Sequence, residues 1–433
     1  MTQAFAGGDE PSADHVEKAN FMTDKVLSGI RIVDMTTFLA APTVARIMGE
    51  WGADVIKVEP PKGDAERTQG AVFNMPYADD ENLGFDISNL NKRFVTLNLR
   101  KEDGLKAFMK LLEGADVFLT NLRSKSLEHL GIDYDSLKDR FPKLVYAQCS
   151  GYGEDGPNKN TAGYDATSYM ARGGVLATTM EKGTSPMNPP NGYGDFQVAM
   201  CLTAGICAAL IRQARTGKGD RITVALHHAA IFMQNVAMVS AQYGNPYPKT
   251  RMEVSNPFNN CYQTSDDRWF VMCVPVFNRD YNKVMTLLGR EDLLDDPRYR
   301  DIDKINAEGL NREFISILDG EFRKRPLQHW LDAFKKEDLP LEACYLPTEI
   351  YTDDEALDND EVRKMRFPSG QERFIPTNPV KFASLGKPEL RPSRAQGSDT
   401  ESVLREAGYT DEQIRQMLLD GAAASTRHIG DPI

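Results

Sequence analysis

Histidine, cysteine and tryptophan are scarce in this chain: six, six and three among 433 residues. The cysteines (Cys149, Cys201, Cys207, Cys261, Cys273, Cys344) are scattered and no two make a C-x-x-C, which excludes a disulfide frame or a zinc ribbon and reads as reduced thiols of a cytoplasmic protein. The histidines keep no metal-ligand spacing; His227 and His228 are adjacent and point to different faces of any regular element. G-x-G-x-x-G is missing, so there is no dinucleotide fingerprint. The longest apolar run, Ala199 to Ile211, is too short to cross a bilayer, and residues 1–24 lack the apolar core of a signal peptide and read as a mobile tail. Positive charge is also in deficit. With 51 Lys+Arg against 63 Asp+Glu the net charge is −12, which speaks against nucleic acid and leaves room only for a local basic pocket around a small phosphorylated ligand.

What is present alternates. Ile30–Met35 reads as a strand, and Pro42 then opens a helix whose Val44, Ile47, Met48 and Trp51 fall on one face before Gly52 stops it. Val55–Glu59, Val95–Leu99, Asp116–Thr120 and Leu144–Gln148 are further strands, and Glu102–Leu112 is an amphipathic helix closed by Gly114. Strands alternating with helices predict an α/β, Rossmann-like large domain with a mostly parallel sheet. Cys261–Thr264 and Trp269–Val274 around a Ser-Asp-Asp-Arg turn predict a hairpin, Tyr281–Lys336 is helical in pattern, and Ile375–Ser384 is strand-like. The expected organisation is a large domain over 25–235, a linker over 236–256, a smaller α+β domain over 257–345, and a return to the large domain over 346–433.

Parallel sheets bind ligands beyond their strand carboxyl ends. Thr36–Ala41, Arg100 and Asn121–Lys125 fall there, so several cations could converge on one anionic ligand. Glycine-rich loops follow: Ser150-Gly151-Tyr152-Gly153, Gly163-Tyr164-Asp165, Ala171-Arg172-Gly173-Gly174, and Gly192-Tyr193-Gly194-Asp195 at the head of a small-residue helix. Taken alone, Asp195 is a helix cap. Its position predicts an ionised carboxylate backed by amide groups and the helix dipole.

In this order the pieces resemble the family III CoA-transferases, which share a superfamily with alpha-methylacyl-CoA racemase. The resemblance runs from about Leu27 to Gly421 and also rests on Gly52–Glu59, Asn91-Lys92-Arg93, Thr216-Gly217-Lys218-Gly219 and Val403–Tyr409. Thr120–Lys125, Ala171–Val175 and Asn256-Pro257-Phe258 look most similar to transferases of 2-hydroxyacyl and enoyl groups from amino-acid fermentation. The resemblance implies CoA transfer from an acyl-CoA to a small carboxylic acid, with Asp195 as the nucleophile that forms first a mixed anhydride and then an aspartyl-CoA thioester. It implies that Phe38, Leu39, Ala40, Ala41, Leu97, Arg100, Asn121 and Leu122 line the CoA site, with Arg123 and Lys125 as additions. Backbone N–H groups around Gly173, Gly174 and Gly194 would hold the oxyanion, with Asp165 and Tyr164 in support. It further implies a homodimer of interlocked, ring-like subunits, CoA as substrate with no permanently bound cofactor or metal, and no membrane or nucleic-acid partner. Where the racemase has a histidine, this chain has Tyr164, and a phenol with an ordinary pKa near 10 is a poor base at neutral pH, which favours transferase over racemase. A binding protein that has lost catalysis is the other alternative, and it needs Asp195 to be a helix cap and nothing more.

Overall fold

A computed structural model describes residues 25–431, so the expectation for 1–24 lies outside the described residues. The described chain divides into two compact units. One runs to Val175 and includes Pro189–Gln234 and the segment from Leu357 onward; the other comprises Leu176–Asn188 and Asn235–Ala356. The second unit therefore takes in residues 176–188, 235–256 and 346–356 beside the expected small domain, and the segment expected as a linker carries a helix, Asn235–Ala241.

The first unit is built on a seven-stranded sheet. Strands β1 (Arg31–Met35), β2 (Asp54–Glu59), β3 (Arg93–Leu97), β4 (Val117–Thr120), β5 (Val145–Ser150) and β6 (Arg221–Ala225) are all parallel, in the order 3-2-1-4-5-6. A two-residue strand, Ala423–Ala424, adds antiparallel to the β3 edge. Both faces are covered, as parallel sheets require. On one, Val33, Met35, Ile56, Val58, Leu97 and Phe118 pack with Phe108, Leu111 and Leu112, and with Leu404 and Met417 near the C-terminus. The alternate residues Ile32, Val55, Phe94, Val117 and Leu119 are equally buried. On that side lie α1 (Ala40–Glu50), buried along its whole length, and α2 (Tyr193–Thr216), which meets α1, β5 and β6. Helix α2 has the length and apolarity of a membrane span, but Gly194, Val198, Leu202, Ile206 and Leu210 make a buried i, i+4 stripe, so it is the core helix of this layer.

Two local expectations shift. Strand β3 starts two residues early because Arg93 is held at its head by Asp54 on β2 and by Glu406. The 375–384 segment is strand only to Pro376, within a hairpin pairing Val362–Arg366 with Glu372–Pro376; Asn378-Pro379 then removes the donor and conformation a longer strand needs.

In the second unit, β7 (Asn259–Gln263) and β8 (Trp269–Cys273) form the expected hairpin, and β9 (Leu341–Ala343) completes an antiparallel sheet. Its core is aromatic: Phe258 stacks on Phe277 at 4.3 Å between centroids, and Tyr262, Phe270, Phe314, Phe322 and Trp330 fill the rest.

Candidate active site

The strand order reverses between β1 and β4, and the loops leaving those two strands diverge to open a crevice. A cavity of about 510 Å³ occupies it. Its walls come from the β1–α1 loop (Thr37, Phe38, Leu39, Ala40), the β4 exit (Asn121, Leu122, Arg123, Ser124) and the head of α2 (Asn191, Gly192, Asp195). Gly163, Tyr164 and Asp165 join them, with Glu66, Gln69 and Phe73 of the 3-10 helix Ala65–Phe73.

The two loops at the switch point are clamped together. The side chain of Asn121 accepts from Thr37 N at 3.0 Å and donates to Thr37 O at 2.7 Å. Beneath them lies a buried ion-pair system. Lys57 Nζ sits 2.8 Å from Asp64 and donates to Thr36 O at 2.9 Å, Lys92 Nζ sits 2.8 Å from Asp34, and Arg67 grips Glu59 with two bonds of 2.7 and 2.8 Å. Burial alone would lower the pKa of Lys57, but Asp64, Asp34 and Glu59 outweigh it and hold the ammonium charged. Burial opposes the charge of Asp64 likewise, and Lys57 together with Thr37 overcomes it. This frame keeps Phe38 in a left-handed conformation (φ 64°), with its ring edge-on to Tyr164 at 5.6 Å.

At the head of α2 the fold treats two aspartates differently. Gly192, at φ 76°, turns the chain into the helix where a side chain would be strained. Asp165, buried and 29 residues upstream, caps that helix: Gly194 N donates to its carboxylate at 2.9 Å, and the amides of Gly192 and Tyr193 also face it. A Cβ on Gly194 would collide with Asp165 and with the Tyr169 ring, so this approach requires glycine. Asp195, in the first turn of the helix, is half-buried at the cavity, and among the described residues nothing hydrogen-bonds its carboxylate. Burial, then the charges of Asp165 and Glu66, push its pKa up to about 7. This reverses the expectation of a well-stabilised carboxylate, because Asp165 has taken the helix-end amides. Cys149, on the cavity floor, is pushed up to about 12 by burial and by Asp195, so its thiol is inert.

The structure brings together on the cavity Phe38, Leu39, Ala40, Asn121, Leu122, Arg123, Tyr164, Asp165 and Asp195. Others of the expected set stand elsewhere. Leu97 and Ala41 are fully buried in the sheet and in α1, where strand and helix packing claims them. Arg100 and Lys125 are exposed and outside the lining. Gly173 lies tight against Ala230 and Tyr169, a packing position, and the Gly194 amide is already spent on Asp165. Gly174, at φ 86°, is outside the lining too. The sequence reading missed Glu66, Gln69 and Phe73, whose i, i+3, i+7 spacing is visible only once a helix is known to start at Ala65, after the Asp64 cap. Lys159, Gln148 and Cys149 also line the cavity unanticipated. Among the described residues no group of His, Cys, Asp or Glu is placed to hold a metal ion.

A family model described as CoA-transferase family III matches residues 27–400. Cinnamoyl-CoA:phenyllactate CoA-transferase of Clostridium sporogenes is 39% identical, covering 91% of this chain and 96% of its own. (R)-2-Hydroxy-4-methylpentanoate CoA-transferase of Clostridioides difficile is also 39% identical, over 90% and 97% of the two chains. The crystal structure of a CAIB/BAIF family protein from Brucella suis superposes with a TM-score of 0.74 at 26% identity, covering 88% of this chain and 99% of that one.

Proposed function

The chain belongs to CoA-transferase family III, and from that premise we propose that it moves CoA from an acyl-CoA to a 2-hydroxy acid or related enoate through Asp195. The observation that carries the proposal is the Asp195 carboxylate, half-buried and without a hydrogen-bond partner among the described residues, on a cavity at the topological switch point. Both full-length relatives at 39% identity are named for 2-hydroxy acids, which supports that acceptor class.

The chemistry runs in four balanced steps. An Asp195 carboxylate oxygen attacks the thioester carbonyl; the C–S bond breaks, giving a mixed anhydride and CoA thiolate. The thiolate attacks the aspartyl carbonyl, releasing the donor carboxylate and leaving an aspartyl-CoA thioester. The acceptor carboxylate attacks that thioester, forming a second anhydride and freeing the thiolate again. The thiolate attacks the acceptor acyl carbon, and Asp195 leaves as carboxylate. No net proton moves. An unbonded carboxylate loses little hydrogen bonding on attack, and the Asn121 clamp and the Asp165 cap fix the cavity so that proximity supplies the acceleration. Phe38, Leu39, Ala40, Asn121, Leu122 and Arg123 are proposed as the CoA wall; Arg100 and Lys125 lie outside the cavity lining. By family kinship the enzyme is proposed to act as a cytoplasmic homodimer without a resident cofactor.

A panel of acyl-CoA donors against 2-hydroxy acids tests this. Transfer of CoA to at least one 2-hydroxy acid is expected, with no solvent deuterium entering the α-carbon of a 2-methylacyl-CoA. Exchange at enzyme-like rates without transfer would replace the proposal with a racemase.

A further inference from the structure

Besides Asp195, a second carboxylate on the cavity is left without a partner among the described residues. Glu66 stands in the first turn of the Ala65–Phe73 helix, is 5% exposed, and lines the cavity. Among the described residues no hydrogen bond or ion pair engages its carboxylate. Its sequence neighbours are committed elsewhere: Asp64 to Lys57 and Thr37, Arg67 to Glu59. A buried carboxylate with no partner is costly, and such groups persist where a ligand completes them. Gln69 and Phe73 reach the same cavity from the same helix, so this wall offers a carboxylate at its inner end and an aromatic ring at its outer end.

We propose that Glu66 is the specificity-determining residue for the acid substrate, accepting a hydrogen bond from its 2-hydroxyl while Phe73 borders its side chain. This rests on the transferase reading above. A carboxylate disfavours the substrate's own carboxylate and gains nothing from a thioester carbonyl, which has no proton to give. The 2-hydroxyl is a donor attached one carbon from the reacting centre, so its acceptor must stand beside the nucleophile. Glu66 is placed for this: it lines the same cavity as Asp195. The pantetheine amides and a 2-ammonium group are the competing donors.

The test compares Glu66→Ala and Glu66→Gln with wild type. One acyl-CoA donor is used with two matched acid pairs: phenyllactate with 3-phenylpropionate, and 2-hydroxy-4-methylpentanoate with 4-methylpentanoate. The readout is the ratio of kcat/KM for hydroxy over deoxy acid. In Glu66→Ala this ratio should fall by about ten- to a hundredfold, with the deoxy acid changing less than about threefold. Glu66→Gln, isosteric and still an acceptor, should retain part of the preference and serves if the alanine variant does not fold. An unchanged ratio, or a parallel loss on both acids as contact with pantetheine would give, overturns the proposal. So does a wild type that prefers the 2-amino acid. Wild type that transfers CoA to no acid refutes the transferase reading itself, a separate result.

Discussion

Two sets of polar groups around the cavity differ in what the fold does with them. In one set, the groups are tied: Asn121 at the β4 exit to both backbone atoms of Thr37, Lys57 of β2 to Asp64, and Asp165 to the Gly194 amide. In the other, Asp195 and Glu66 are left unbonded among the described residues, and burial with nearby negative charge brings each to a pKa of about 7. In Glu66 burial leads, Asp64 adds to it and Lys57 opposes. A cross-linked set fixes geometry, and an unsatisfied set holds the groups that meet substrate. The difference is what favours Asp195 over Asp165 as the proposed reactive acid.

The sharpest way to break this comparison is Asp195→Asn. It should keep the shape of the site and lose CoA transfer by about 10⁴-fold or more, since covalent catalysis loses its nucleophile. It should also melt higher than wild type above pH 7. The folded pKa near 7 exceeds the ordinary 3.8, so wild-type stability is lost as pH rises between those values, and the amide escapes that loss. The gain should be about 1–3 °C at pH 8 and vanish near pH 4 by differential scanning fluorimetry. A lower melting temperature at pH 8 would mean that the carboxylate has a partner.

Asp165→Asn should cost less, about ten- to a hundredfold in kcat, and should lower the melting temperature, because it weakens a helix cap. Equal loss in both variants would erase the distinction between the sets. The pH profile comes next. The attacking form of Asp195 is ionised, so kcat/KM should rise through an acid limb near pH 7. Glu66→Gln removes one of the two negative charges facing Asp195, leaving Asp165, and should move the limb down by about half a unit. The smallest effect should be Arg100→Ala. The side chain is exposed and off the cavity wall, so the acyl-CoA KM should rise less than about threefold and less still at high salt. A larger rise would extend the CoA site beyond the cavity.

Much of the cross-linked set was legible. Apolar spacing at Val44, Ile47, Met48 and Trp51 marks α1, and β-branched and aromatic runs mark the strands, because local periodicity reports burial directly. From the strands follow the exits carrying Thr37 and Asn121. Asp195 was legible from its place at the head of α2, but its chemistry was not. The cap on α2 comes from Asp165, and no local pattern tells which of two acids near a helix terminus takes its amides. Glu66 was hidden for a similar reason. In Asp64-Ala65-Glu66-Arg67 it reads as one more surface charge, and only the pairing of Arg67 with Glu59 and of Asp64 with Lys57 leaves it alone. The strand Ala423–Ala424, two residues of small apolar side chain, carries no period at all.

Trapping the activated carboxylate tests the central claim most directly. Hydroxylamine added during turnover with an acyl-CoA, followed by peptide mass spectrometry, should place a hydroxamate on Asp195 and leave Asp165 and Glu66 unmodified. A hydroxamate on Asp165 or Glu66, or an Asp195 that stays unlabelled while CoA is being transferred, would contradict the account.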